Sequence, residues 1–470
     1  MTGPANEVEQ PDPPRFHYLK RLALAGVLVF AGLVALHFWW SHLAQRRMDT
    51  YVNELHAKGR RILARDFISE PVPDEQNAGK ALREAAQKVV DLPELHDWEV
   101  EFTGDLPFSA NDIAQLRQIS EANREALAKA RSARSLPRVN WGITMTSPAM
   151  SILLPHLNEV RRVGNLTRNE MLYQHVQGNE REAIELARDL IFQCRCMDET
   201  PIFLISHLVS VGMHALVLDG LEQLTPELRM GGGERAATEA SVRGLIADLS
   251  DERLMVEGAS VAWQGEQMMR LDGPERAAMD SLPLPVLGRV LAPMFRLDAL
   301  SSARELDLVA DAVMQPTYAQ ARALLPGAAG PMRNQSLFYV IAHNLSMRST
   351  GVWTGRLTQM TFEARARRKV VATALAVKLY QKDHAGALPA TLDELVPRYL
   401  PAVPVDPTSA ASERLLYRAD GPDPIVYARG SNQRDDGGAG VPTTAPANRR
   451  TQPLDLVVHL MRRPTTAPAN

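Results

Sequence analysis

Three features of the sequence predict a mainly α-helical chain with one N-terminal transmembrane helix and a small C-terminal α+β module. An uncharged apolar run, Leu22 to Trp40, reads as the membrane-spanning segment. Through residues 41–356 apolar side chains recur at three- and four-residue spacing, the signature of packed helices. Near the C-terminus, Leu415-Leu416-Tyr417, Ile425-Val426-Tyr427 and Leu454 to Leu460 read instead as short strands of an antiparallel sheet.

The chain has 470 residues, enough for two or more packed units. The expected division is a disordered tail at 1–21, the anchor at 22–40, a mostly helical domain at 41–356, the α+β module at 357–460 and a disordered tail at 461–470. A formal net charge of −3, with no dense basic stripe, gives no field for nucleic acid. Cys194 and Cys196 are the two cysteines, which excludes a disulfide framework or a zinc ribbon. One residue apart on a helix, they point in different directions and read as packing residues.

Leu22 to Trp40 spans about 28 Å as a helix, close to the hydrocarbon thickness of a bilayer. Trp39 and Trp40 stand where an interfacial aromatic belt belongs. Beyond the run, Ala44 has His42 two residues before it rather than a small residue, so the span reads as uncleaved. Arg15, Lys20 and Arg21 precede it; Arg46, Arg47, Lys58, Arg60 and Arg61 follow. The raw count opposes a cytoplasmic N-terminus, yet Lys20 and Arg21 abut the span directly, and the expected topology is N-terminus inside with the bulk outside the cytoplasm.

After the span, Tyr51, Leu55 and Ile62 form one helical run and Ile113, Leu116, Ile119 and Leu127 another, with a start marked by Ser109-Ala110-Asn111-Asp112. Trp98 to Phe102 alternates and reads as a short strand or extended loop. Asn169 to His175, Gly178-Asn179 and Arg181 to Cys194 form a helix–turn–helix in which Tyr173, Gly178, Ala183 and Ala187 resemble one tetratricopeptide-like hairpin; no second copy follows at that period, so no array is expected. Ile202 to Leu224 is apolar on nearly every turn. His207 and His214 share a face of it, and His175 is a third imidazole that a metal could use. Histidines on apolar helices are more often hydrogen-bonded core residues, and no HExxH pair, Ser-centred hydrolase signature or phosphate loop accompanies them. Gly231-Gly232-Gly233 reads as a flexible joint. Leu300 to Leu325 and Ser336 to Met347 are the clearest helices that follow, while the prolines of Leu282 to Leu287 suggest an extended apolar segment.

In the C-terminal region, Val371, Leu375 and Leu379 form a helical stripe with Ala374, and Arg367, Arg368, Lys378 and Lys382 supply charge around it. Gly386 is placed to close that helix, Pro389 blocks its continuation, and Thr391 to Glu394 reads as a capping box. Pro404 and Pro407 hold the next segment extended, Asp420-Gly421 joins the first two strands, and Asp435, Asp436, Gly437 and Gly438 form an acidic loop before the last strand, which contains Asp455. Pro442 to Asn448 recurs letter for letter at Pro464 to Asn470, and 439–453 reads as a flexible insertion.

Tyr380, Asp383, Gly386, Pro389, Leu392, Pro404, Asp406, Pro407, Tyr417, Gly430, Asp435, Gly437, Gly438 and Asp455 together resemble the globular domain of the major pseudopilin of type II secretion systems, over roughly 95 residues. The resemblance implies a calcium ion, with Asp435, Asp436 and Asp455 as its ligands; carboxylate oxygens on a pliable Gly-rich loop suit that ion. An acidic solvated turn is the alternative. Arg15 to Lys20 lacks the Gly and Glu of a pseudopilin leader, so assembly into a pseudopilus is not expected. The expectation is a non-enzymatic, membrane-anchored scaffold or protein-binding component of the cell envelope. The alternatives are a secretion- or pilus-associated component with a calcium-stabilised module, and a metal-dependent enzyme using His207 and His214 or the Asp loop.

Overall fold

The computed structural model describes residues 16–92, 106–272, 285–325, 350–439 and 455–462. Trp98 to Phe102, Ser336 to Met347, most of the 439–453 insertion, both copies of the Pro/Thr/Ala repeat and the first fifteen residues lie outside them.

Helix α1, His17–Ala57, carries the apolar run and continues for several turns beyond it. Its apolar window is long enough to cross a membrane and none of it is buried. Past the apolar run, Ala44, Tyr51 and Leu55 are buried, so the same helix passes from an exposed apolar rod into a packed one.

The body is built from α2 (Ala78–Gln87), α3 (Ala110–Ala122), α4 (Arg124–Ala133), α5 (His156–Val176), α6 (Glu180–Glu199), α7 (Leu204–Leu224), α8 (Glu239–Ser250) and α9 (Arg253–Leu271). The start read at Ser109 is a capping box: its Oγ accepts from the Asp112 N–H at 3.2 Å, and the Asp112 carboxylate accepts from the Ser109 N–H at 2.9 Å. Helices α5 and α6 form the expected antiparallel hairpin about Gly178 and pack on α7. Helix α7 also passes a length-and-composition test for a membrane span, but more than half of its window is buried, as a central core helix requires. Its neighbour α9 crosses the α6–α7 connection so closely that a Cβ at Gly265 would stand 1.5 Å from the Ile202 carbonyl oxygen; only glycine fits.

Helix α10, Pro285–Ala312, begins where an extended segment was expected, with its prolines in the first turn and at Pro293 rather than breaking the helix. It lies along α1 and α9 and is followed by α11, Tyr318–Leu324. Helix α12, Thr350–Asp383, starts seventeen residues before the stripe read from Arg367 and ends as anticipated, with Ala385 and Gly386 at positive φ and the Gly386 N–H returning to Gln381 O at 2.7 Å. The expected capping box at Thr391 does not close: Glu394 reaches back to the Ala390 N–H at 3.1 Å, one residue before the cap, and the Thr391 side chain caps nothing.

Strands β1 (Leu416–Arg418), β2 (Ile425–Arg429) and β3 (Asp455–His459) form an antiparallel sheet in the order β1-β2-β3. Tyr417 pairs with Val426, and Val426 with Val458. One face of the sheet rests on α12. A single core runs from Leu82 and Ala126 through Leu190, Leu218 and Leu249 to Leu375, Tyr399, Val426 and Val458, and so is continuous across the 356/357 boundary.

The cations of α12 correct the sequence reading. Arg368 is 1% exposed and Lys378 9% exposed, although the sequence reading placed both among the charges around the apolar stripe. Lys378 donates to Pro226 O and Leu460 O, both at 2.9 Å, and burial lowers its ammonium to about 8. It ties the sheet end to the helical body.

Candidate functional site

A dense polar constellation lies inside the helical body, where α6, α7, α8 and α12 meet. Asp198 on α6 is buried; its Oδ1 accepts from Ser210 Oγ at 2.5 Å, and its Oδ2 lies 2.9 Å from His214 Nε2. On the other side of the ring, His214 Nδ1 lies 3.2 Å from Arg368 Nη1. A guanidinium can only donate, so Nδ1 is the acceptor and Nε2 carries the proton toward Asp198. The result is a relay: a buried cation, a neutral imidazole and a buried carboxylate in series.

Arg368 spends its remaining donors on the end of α8, reaching Leu249 O at 3.0 Å and both Asp248 O and Asp251 O at 2.8 Å. These carbonyls have no intrahelical partners and carry the negative end of the helix dipole, so a cation is the group they need. Burial alone would raise the Asp198 carboxyl, but His214 and the Ser210 hydroxyl outweigh it and hold it below its usual range. Burial lowers His214, against the pull of Asp198.

His207, one turn before Ser210, bonds Thr361 Oγ1 on α12 at 2.9 Å, and burial lowers it to about 4. His175 does not join the other two: its Nδ1 is 2.8 Å from Glu180, a buried pair across the α5–α6 turn. The three imidazoles considered for a metal are each occupied by a separate protein partner.

Serine, histidine and aspartate in one cluster invite comparison with a hydrolase triad, and the geometry argues otherwise. A triad needs the histidine to take the serine proton while the carboxylate orients the histidine. Here Ser210 gives its hydrogen bond to Asp198, and both nitrogens of His214 are already used. Ser210 and His214 are 0% exposed, and neither lines the clefts around Arg188, Trp141 or Lys80. The cluster acts as an internal clamp on four helices.

The acidic loop of the module is the second constellation. Asp455, 3% exposed, accepts from the Asp436 N–H at 3.1 Å and the Gly438 N–H at 2.8 Å through Oδ2, while its Oδ1 is buried with no partner. Asp435 accepts from the Tyr427 hydroxyl at 3.2 Å and the Gly437 N–H at 2.9 Å; Asp436 accepts from Asn432 Nδ2 at 2.6 Å. Burial, and then the charges of Asp436 and Asp435, hold the Asp455 carboxyl above its ordinary range against its two N–H bonds. Asp435 and Asp436 on the loop and Asp455 at the start of β3 do not form a metal cluster: among the described residues no group of three or more His, Cys, Asp or Glu side chains is arranged to hold a metal ion.

A cleft of about 480 Å³ between α4, α6, α8 and α9 is lined by Arg134, Arg188, Arg195, Phe192, Glu199 and Asp248. Its guanidiniums are compensated: Arg134 by Glu185 and Asp189, Arg188 by Asp248 at 2.8 Å, and Arg195 by Asp251 at 3.2 Å. No unopposed cation is left among them to draw an anion.

No family model, curated protein or solved structure matches this chain. The functional reading therefore rests on the geometry alone.

Sequence reasoning missed Asp198, Ser210, Thr361 and Arg368. The signal was present in part: His207, Ser210 and His214 recur at three and four residues along an otherwise apolar helix, and a buried polar stripe demands partners. Their identity required the fold, because Arg368 lies 154 residues from His214.

Proposed function

We propose that this chain is a membrane-anchored, non-enzymatic scaffold of the cell envelope, with its folded body outside the cytoplasm. The supporting observation is the continuity of α1. The apolar, wholly exposed half of the helix passes without a break into a half whose Ala44, Tyr51 and Leu55 are buried in the body. A helix rises about 1.5 Å per residue and bends little, so the body is held at a fixed height above the bilayer as on a mast. Partners presented by such a body meet it at a defined distance from the membrane. Deleting Leu22–Trp40 is expected to move the protein from the alkali-resistant membrane fraction to the soluble fraction with its thermal transition intact. Retention in the membrane would overturn the anchor. An externally added impermeant thiol reagent that modifies a Leu308→Cys variant (Leu308 is exposed on the body) in intact cells supports the outward orientation; protection until lysis reverses it.

The second reading, a calcium-stabilised module, is favoured by one observation: the buried, unpartnered Oδ1 of Asp455 beside two further carboxylates. Binding would require Asp435 or Asp436 to exchange its loop N–H bond for the ion. Calcium at a hundredfold over its Kd should then stabilise the fold by about 2.7 kcal/mol, an effect lost in Asp455→Asn. A melting temperature indifferent to calcium removes this reading and leaves the scaffold reading standing.

A further inference from the structure

Helix α1 has one packed stripe. His37, Trp40, Ser41 and Met48 are half-buried and Ala44, Tyr51 and Leu55 are buried, while the rest of the span from Tyr18 to Leu36 is exposed all round. The helix lying against this stripe is α10. The two run parallel: Arg304 stacks over the Tyr51 ring at 5.5 Å, Leu300 and Ala303 pack with Tyr51 and Leu55, and Asp307 sits 3.8 Å from Lys58, with Asp311 next along at Arg60. Both helices have the same rise, so the register carries back toward their N-termini. Val290 on α10 then falls level with Trp39 and Trp40 at the end of the apolar span.

The residues at that end of α10 are largely apolar. Val290 is 51% exposed, Leu291, Met294 and Phe295 are half-buried, and Arg289 beside them is exposed. On α1, Arg46 and Arg47 are exposed one to two turns beyond the tryptophans. Apolar side chains level with an aromatic belt, with arginines bordering them, match the depth profile of a bilayer interface: hydrocarbon below, aromatic rings at the boundary, cations at the headgroups.

We propose that the N-terminal turns of α10 form a second membrane contact, seated in the interfacial layer of the same bilayer that α1 crosses; this rests on α1 being the anchor. The occupant is lipid because the patch is continuous with the span. Two points of contact, one spanning and one lying at the surface, fix both the height and the tilt of the body.

The test uses the full chain in phosphatidylcholine–phosphatidylglycerol vesicles. Single cysteines at Val29→Cys, Val290→Cys and Leu308→Cys carry an environment-sensitive nitrobenzoxadiazole label; burial raises the native Cys194 and Cys196 thiols, keeping them unreactive. The expected result is severalfold quenching of the Val290 label by a lipid with a shallow nitroxide and of the Val29 label, about 15 Å deeper, by a lipid with a nitroxide near the bilayer centre, with the Leu308 label, on the distal part of α10, quenched only by an aqueous agent. A quenched Val29 label with a Val290 label open to water overturns the proposal while the anchor stands. A Val290 label shielded from both quenchers also overturns it, placing a second copy or another protein on the patch. If the Val29 label is not quenched by lipid, the anchor falls first and the proposal with it.

Discussion

Replacing Arg368 by methionine is the sharpest perturbation of the internal clamp. Methionine has nearly the same length and leaves little cavity, so the loss is polar rather than steric. Three carbonyls at the end of α8 and Nδ1 of His214 lose their donor, and Asp198 loses its buried counter-charge. Removing one member of a buried ion pair costs about 3–5 kcal/mol, because the other charge stays buried without compensation. Asp198→Asn should cost a similar amount, since Arg368 is then the uncompensated charge. In the double variant both charges are gone, and the total should fall short of the sum of the singles by about 2 kcal/mol. Urea unfolding of the full chain in detergent, followed by far-ultraviolet circular dichroism, reads each value as a shift in midpoint at constant slope. Strict additivity would refute the relay, because it would mean that Arg368 and Asp198 do not sense each other through His214. A single-variant cost below about 1 kcal/mol would refute the burial argument itself.

Acid should weaken the fold through its buried imidazoles. His207 is neutral in the folded state, titrating at about 4 instead of near 6.5, so the unfolded chain binds a proton first and stability falls as pH drops from about 6.5 toward 4. At about pH 5 this group alone should remove about 2 kcal/mol, and His207→Gln, which keeps a donor for Thr361, should flatten the stability–pH profile by that amount; an unchanged profile refutes it. Gly265→Ala drives a methyl into the Ile202 carbonyl and should cost about 3 kcal/mol, whereas Gly212→Ala, exposed on α7 with open space around it, should be neutral or slightly stabilising. Equal melting temperatures for the two would contradict the close approach of α9 to the α6–α7 connection.

What was legible in the sequence was local. The apolar run of α1, the helix start at Ser109, the α5–α6 hairpin, the stop at Gly386 and the three strands all depend on residues within a few positions of one another. Local sterics and periodicity specify such features. The long-range partners escaped. Arg365, Arg367, Arg368 and Lys378 look like the solvated side of an amphipathic helix, since the period alone cannot distinguish a cation facing water from one facing the carbonyls or carboxylates of another helix. In the fold, Arg365 pairs with Glu252 at 3.1 Å, Arg367 with Asp219 and Glu222, and Arg368 with the end of α8. Helix α10 was misread for a related reason: Pro285 is favourable in a first turn, yet a cluster of prolines reads as extended when the helix start is not known.

These buried cations also decide how the module relates to α1. A module joined by a linker would reorient freely and have a separate core. Here α12 carries apolar residues that belong to one core with both the body and the sheet, and its cations are fastened at successive turns: Arg365 and Lys369 to Glu252, Arg368 to α8, Lys378 to Pro226 O and Leu460 O, Lys382 to Glu239. Each bond crosses from α12 to the body or the sheet, so turning the module would break several buried interactions at once, a cost of many kcal/mol rather than a thermal fluctuation. At the other end, α1 enters the body through Ala44, Tyr51 and Leu55 without a joint. The acidic loop before β3 is therefore held at a fixed place relative to α1.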